Sequence, residues 1–384
     1  MPDPLSIHAL GYRFEVDLEA VPADEVAALR LQWARCAPDE QDPAPAADSP
    51  SVPLSDAQDP VRRDYALASS VTFAAIRQAA GAGVMLHACG IADDSGRVAV
   101  LVAASGTGKT TAAARLCARD FGYVTDETVL IRPDLSVLPY PKPLSVVLEA
   151  GDPHHKQQHG PDELHLRTPP ASLHAGALLL LDRIDRASRD DGAPRPMAVP
   201  ALERVGLFDA MLTLIPQTSS LMALDRPLTA LAQLINDLGG VQTLYYREID
   251  ETGSLIEQAL HDRGVVTQFT SHTADGDPTD APRDPGEEHL VQRAPFDDAV
   301  VADDEVLVLA GSTPLRLSAL GATIWLAAAQ PLSAGAAVEV CRAAHGDHPQ
   351  AAELVDSALT ELLEVGALAP IPRAAIAGPL PAVR

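Results

Sequence analysis

Lysine is nearly missing from this chain: of 28 basic residues in 384, only three are lysine. By itself that scarcity says little about chemistry. The 53 acidic residues leave a net charge of -25, and a surface that acidic repels phosphate-rich partners, which excludes general nucleic-acid and anionic-membrane binding. A basic or neutral peptide suits it better. Long apolar runs are lacking too: none approaches the ~20 residues that cross a bilayer, and the start shows no basic-then-apolar signal. A cytoplasmic location is expected. The four cysteines, Cys36, Cys89, Cys117 and Cys341, form no C-x-x-C pair, which excludes the usual zinc and dithiol patterns. Cys89 and Cys117 lie in apolar segments and read as small core residues. What is plentiful is apolar material, 47% of the chain, enough for two or three domains.

The chain is organised around Arg97 to Val129, RVAVLVAASGTGKTTAAARLCARDFGYVTDETV. Val98 to Val102 reads as a buried parallel strand, Ala103 to Lys109 as a small-residue loop and Thr110 to Arg119 as a helix. Strand, loop and helix in that order make a phosphate cradle. Ser105, Gly106, Thr107 and Gly108 let backbone N-H groups curl around an anion in front of a helix N-terminus. Lys109 then reaches the outer phosphates, while Thr110, followed by Thr111, offers a hydroxyl to a magnesium ion. Against G-x-x-x-x-G-K-[ST], the first glycine is Ala103.

Seventeen residues beyond Lys109 come Asp126 and Glu127, after the short segment Gly122 to Thr125. A helix and a return strand fill that gap, bringing both carboxylates to the sheet edge beside the phosphates. There they could hold the metal and take a proton from an attacking hydroxyl. Which of the two is the base stays open. A lone histidine on an apolar strand is more often a core residue than a catalytic one, but His87 stands one strand before the loop.

These residues carry a resemblance. L-H-A at Leu86 to Ala88, the glycine turn at Gly96, A-x-S-G-x-G-K-T at Ala103 to Thr110 and T-D-E at Thr125 to Glu127 resemble the HPr kinase/phosphorylase family. The resemblance implies an α/β P-loop kinase core of the phosphoenolpyruvate carboxykinase/HPr kinase type, which uses ATP and Mg2+ to phosphorylate a serine hydroxyl. On it, His87, Lys109, Asp126 and Glu127 would be catalytic. Ser105 to Thr111 would hold the nucleotide, and Thr110, Asp126 and Glu127 the metal. The later glycine-rich signature linked to phosphorolysis is missing, so kinase chemistry is the expectation.

Elsewhere, residues 1–85 suit a small N-terminal lobe: a strand from Ser6 to Leu18, a helix from Asp24 to Ala34, and a helix from Tyr65 to Ala80. The stretch 36–62, rich in Pro, Asp and Ser, reads as a mobile loop. The P-loop domain extends over 86–265. In it Pro139 to Pro143 should run extended along a sheet edge; Lys142 could approach a nucleotide or substrate phosphate, but a plain surface lysine is the favoured reading. Gly151 to His174, with five histidines, reads as a substrate-facing loop because H-H-x-x-x-H matches no metal motif. Ala177 to Asp182 and Val241 to Arg247 are strands. Pro200 to Ile215 and Pro227 to Leu238 have helical spacing. The acidic stretch 266–295 reads as a linker.

From residue 296 to 372 the pattern is three short strands, Ala299 to Ala302, Val306 to Leu309 and Leu315 to Leu317, then three helices, Ala319 to Ala329, Ala334 to Ala344 and Gln350 to Val365. That is a small winged-helix-like α+β module. Its L-x-L-S-x-x-G-x-x-I-W run, Leu315 to Trp325, and L-x-x-x-G-x-L, Leu362 to Leu368, resemble the PqqD-like leader-recognition domains of ribosomal peptide modification systems. The resemblance implies that a leader peptide adds to the third strand and packs on the third helix. Here that means Leu315, Arg316, Leu317, Leu354 and Ala358. Few basic residues argue against DNA.

Two functions follow as expectations. One is an ATP-dependent Ser/Thr kinase of a ribosomal precursor peptide. The other is a non-catalytic adaptor that presents the peptide to separate modifying enzymes. The resemblance also allows a homo-oligomer, for which no heptad gives a number.

Overall fold

The computed structural model describes residues 3–38, 50–55, 59–104, 106–149, 152–184, 198–274 and 290–371. It divides into two compact units, Met1–Thr267 and Gln268–Arg384.

The first unit opens with a hairpin, β1 (Leu5–Ala9) and β2 (Tyr12–Val16). The single strand expected over Ser6 to Leu18 is thus two, because Leu10 and Gly11 both take positive φ and reverse the chain in two residues. The helices α1 (Ala23–Gln32) and α2 (Pro60–Gln78) follow. Asp59 caps α2 by accepting from Val61 N, with Pro60 as its first residue. The stretch expected as a mobile loop therefore ends before Pro60, and Val52 within it is buried in the core of these elements; residues 39–49 and 56–58 lie outside the described residues.

Next come β3 (Val84–Leu86), β4 (Ala88–Ala92), β5 (Arg97–Val102), α3 (Lys109–Cys117), β6 (Gly122–Thr125), β7 (Val129–Ile131) and β8 (Val137–Leu138). The hairpin β9 (Leu144–Glu149) and β10 (Asp152–His159) follows. Then come β11 (His174–Arg183), β12 (Ala201–Val205), α4 (Leu207–Leu214), β13 (Thr218–Ser219), α5 (Pro227–Asp237), β14 (Val241–Tyr246) and α6 (Gly253–His261). A six-stranded sheet runs β12-β14-β11-β5-β4-β6. Its centre is mixed: β5 pairs parallel with β11 and antiparallel with β4. Val98 to Val102 are all buried, and α3 and α6 pack with Ala99 and Leu101 in one apolar core. A second sheet, β13-β3-β7-β8, is antiparallel throughout.

Two expectations fail here for physical reasons. The histidine-rich segment begins as a β-hairpin and not as a loop. The alternation is masked because a polar residue, Gln158, fills an inward position and donates to Ser145 Oγ at 2.9 Å. The helix expected from Pro200 starts only at Leu207. Residues 201–205 pair antiparallel with β14 at the sheet edge, and Gly206 stands between strand and helix.

The second unit contains β15 (Thr270–Thr273), β16 (Leu290–Arg293), β17 (Asp298–Ala302), β18 (Glu305–Ala310) and β19 (Thr313–Leu317). They precede α7 (Ala319–Ala327), β20 (Leu332–Ser333), α8 (Ala334–His345), α9 (Ala351–Glu364) and β21 (Leu368–Pro370). One sheet is β15-β17-β18-β19, the other β20-β16-β21. The flanks of the expected linker are therefore strands. They are short and polar, and form by pairing with β17 on one side and with β20 and β21 on the other; residues 275–289 lie outside the described residues. The three strands and three helices expected beyond residue 296 stand within two residues of their bounds. Their core centres on Trp325, edge-on to Phe296 at 5.2 Å, with the Arg293 guanidinium 4.0 Å from its ring centre. Among the described residues no helix is long and apolar enough to cross a membrane.

Candidate active site

The loop between β5 and α3 needs glycine for its backbone. Gly106 and Gly108 have φ of 81° and 101°, a region that side-chain-bearing residues rarely adopt, and a Cβ on either would meet only open space. Ala103 does not take positive φ, so this position works without glycine. Gly108 is the N-cap of α3 and no side chain caps that end. The first N-H groups of the helix therefore face outward beside Lys109, a fitting cradle for an anion. Lys109 Nζ donates to Ala103 O at 2.7 Å, folding over its own loop. Burial pushes this ammonium below the usual lysine value, and the charges of Glu127 and Asp126 offset only part of that.

The acidic pair lies where β6 delivers it. Asp126 is buried and has both oxygens engaged. Oδ2 accepts from Thr110 Oγ1 at 2.8 Å, and Oδ1 accepts from Tyr123 OH at 3.1 Å and from Lys142 Nζ at 2.9 Å. Glu127 is half-exposed and held differently. His87 Nδ1 lies 3.2 Å from its Oε1, and Lys142 Nζ lies 4.0 Å from its Oε2. Burial raises the Glu127 pKa, but the His87 hydrogen bond and the charges of Lys142 and Lys109 outweigh it, so the carboxyl stays below the usual glutamate range. Tyr123 is pushed well up by burial and by Asp126, and remains a neutral donor. The Cys89 and Cys117 thiols are pushed up by burial, away from nucleophilic chemistry.

Lys142 corrects the expectation of a surface lysine. It is 2% exposed. Burial disfavours its charge, yet Asp126 and Glu127 outweigh burial and hold the ammonium above the usual lysine value. The proline-rich segment 139–143 passes beneath the acid pair: Tyr123 OH bonds Lys142 O at 3.1 Å and Lys142 Nζ bonds Pro143 O at 3.0 Å. An isolated buried ammonium would be costly, and this one is paired on each side.

These groups line one cleft of about 890 Å3, near the upper end of the usual range for ligand pockets. Its loop side presents Gly106, Gly108, Lys109, Thr110, Thr111 and Arg115, its floor Asp126, Glu127 and Lys142. All three lysines of the chain, Lys109, Lys142 and Lys156, line it. Thr107 is exposed, its hydroxyl bonded to Ala104 O at 2.5 Å, and does not line the cleft; Ser105 lies outside the described residues. His87 sits between β3 and β4, where its N-H donates to Gln217 O at 2.7 Å. Sequence reasoning missed Tyr123, Lys156 and the segment 216–219, and favoured a surface position for Lys142. Lysine retained three times against so many arginines was the one available signal.

Among the described residues no three His, Cys, Asp or Glu side chains form a group that could hold a metal unaided. A nucleotide-borne magnesium needs only one or two protein oxygens besides phosphate. The Thr110 hydroxyl beside the Asp126 carboxylate is such a donor set.

In the second unit β19 is an outer strand, and Arg316 in it pairs with Glu305 at 2.7 Å. Leu317 is buried, Leu315 and Ala358 pack against the same core, and Leu354 on α9 is 46% exposed.

The architecture is thus a mixed α/β unit with a strand-loop-helix anion cradle, followed by a smaller α+β unit. No protein-family model matches the sequence. No curated protein matches it either. Among solved structures it is similar to the HPr(Ser) kinase/phosphatase from Coxiella burnetii, with 11% identity over 46% of this chain and 87% of that one, at a TM-score of 0.27. A likeness of that size carries no argument, so function rests on the geometry of the cleft.

Proposed function

We propose that the protein is an ATP-dependent kinase that phosphorylates a Ser or Thr of a ribosomally made precursor peptide. The carrying observation is the unequal treatment of the acid pair. Asp126 is fixed by Thr110, Tyr123 and Lys142, whereas Glu127 faces the cleft, oriented by His87. That division supports two roles. Gly106, Gly108 and the head of α3 would seat the phosphates, with Lys109 leaving Ala103 O to reach the outer ones. Thr110 and Asp126 would hold the magnesium, which would supply positive charge to the phosphates when bound. Glu127, kept ionised, would accept the proton of the attacking hydroxyl, while His87 holds it in place. Lys142 balances the charge of both acids from below.

The second unit would capture the leader. Among the described residues β19 offers an unshared strand edge, and α9 exposes Leu354. An added leader strand would raise the local concentration of the modifiable segment.

The experiment is direct. The chain is incubated with ATP, magnesium and a precursor peptide, and added phosphate is read by mass. The proposal expects phosphate on a Ser or Thr, and none with Lys109→Ala. Peptide binding without transfer would instead establish the adaptor.

A further inference from the structure

The mechanism above asks of Lys142 only a balancing charge, and its placement is more specific than that requires. Nζ donates to Asp126 Oδ1 at 2.9 Å and to Pro143 O at 3.0 Å, and lies 4.0 Å from Glu127 Oε2. One ammonium thus serves both acids and lines the cleft they floor. The chain around it is built to hold still. Pro141 and Pro143 fix φ on either side of Lys142, and Pro139 does the same two residues earlier. Lys142 N donates to Tyr140 O at 2.8 Å, and Tyr140 N to Val124 O at 3.2 Å. The Tyr123 hydroxyl donates to Lys142 O at 3.1 Å. The Tyr140 hydroxyl is bonded in turn to Thr72 Oγ1 at 3.0 Å. The ammonium therefore enters from a base anchored to β6 and α2, already in position before any ligand arrives.

Asp126 presents two faces. Oδ2 meets Thr110 on the loop side, where the reading above puts the metal of the nucleotide, and Oδ1 meets Tyr123 and Lys142. Paired carboxylates beside phosphates are the donor set of sites that hold two divalent ions about 4 Å apart. Here a fixed positive charge already occupies the second face. We propose that Lys142 takes the place of a second divalent ion between Asp126 and Glu127, so that the site works with one magnesium and Glu127 stays free of metal. The inference rests on the kinase reading above and adds the number of metal ions and the residue that sets it. Its consequence is chemical. A carboxylate that ligates a divalent ion is a poor proton acceptor, whereas one that faces an ammonium at 4.0 Å and His87 at 3.2 Å keeps its oxygens available. Lys142 is thus a positioning residue that acts through the two acids.

The test counts metal ions on the full chain. Mn2+, which accepts the same oxygen ligands as magnesium, is titrated into chain saturated with a non-hydrolysable ATP analogue, and free Mn2+ is read by electron paramagnetic resonance. The wild type should bind one Mn2+ per bound analogue and take no second ion in excess. Lys142→Met and Lys142→Gln, the latter still offering N-H groups to Asp126 and Pro143 O, should each bind two. Lys142→Arg keeps the charge and should stay at one. Adding Glu127→Gln to Lys142→Gln should return the count to one, because the extra ion needs that carboxylate. Melting temperatures of the loaded variants would show that they are folded. A lysine with a purely structural role would lower stability without changing any count. Two Mn2+ per analogue on the wild type, or one on the folded uncharged variants, overturns the inference and leaves the kinase reading intact. If the wild type binds no complex of Mn2+ and analogue at all, the kinase reading itself falls, and this inference with it.

Discussion

The floor of the cleft and the outer face of the C-terminal unit spend their residues in opposite ways. Around Asp126 the chain buries charge and pairs it: Lys142, Lys109, Tyr123 and Thr110 all sit in or beside apolar core. Around α9 it leaves apolar side chains outside, Leu354, Leu363 and Val365 among them. Buried, fully partnered charge is expensive and is kept where chemistry needs fixed geometry. Exposed apolar surface beside an open strand edge is kept where something docks. The proposed function gives reaction to one unit and capture to the other, and each half can be broken separately.

The largest expected effect is at the loop. Lys109→Ala should lower phosphate transfer by roughly 10^3-fold in steady-state assays while the melting temperature holds. Glu127→Gln should cost roughly 10^2-fold to 10^3-fold in kcat with little change in the KM for ATP, since in the proposed mechanism this group only accepts a proton. If Asp126→Asn showed that pattern and Glu127→Gln did not, the division of roles would be reversed. Lys142→Met leaves Asp126 buried without its cation and should cost about 3 kcal/mol in a denaturant titration, even with no ligand present. Lys142→Arg should restore it only in part, because a planar guanidinium spreads its donors differently from the ammonium that bonds both Asp126 and Pro143 O. On the other unit, Leu354→Asp should weaken precursor binding about tenfold and leave the phosphorylation of short, leaderless peptides unchanged.

The smallest effect is in pH. The Glu127 carboxyl titrates lower in the folded chain than its ordinary value of 4.5. Its contribution to stability is therefore present above that value and is lost as pH falls through the lower, folded one. Thermal melts of wild type and Glu127→Gln should converge in acid and diverge above it.

Much of this was legible in the sequence. The apolar run Val98 to Val102, the two glycines and the helix from Lys109 made the loop readable because each uses a local rule: burial, positive φ, and a helix start. The C-terminal strands and helices were readable for the same reason. Lys142 was not, because its prolines signal only an extended chain, and what that chain crosses is set by tertiary packing. The hairpin β9-β10 was hidden by inward polar residues such as Gln158. β15 and β16 were hidden by being short, polar and dependent on distant partners. The proposed division of the acid pair was invisible as well, since adjacent carboxylates in T-D-E differ only in what reaches them from His87, α3, β6 and residues 139–143.

One measurement bears most directly on the central claim: a crystal structure of the chain with magnesium and a non-hydrolysable ATP analogue. The account predicts phosphates over Gly106 to Thr111, the metal on Thr110 and Asp126, and Glu127 still on His87 and facing the terminal phosphate. A nucleotide bound elsewhere, or a metal on Glu127 with Asp126 free to take the proton, would contradict it.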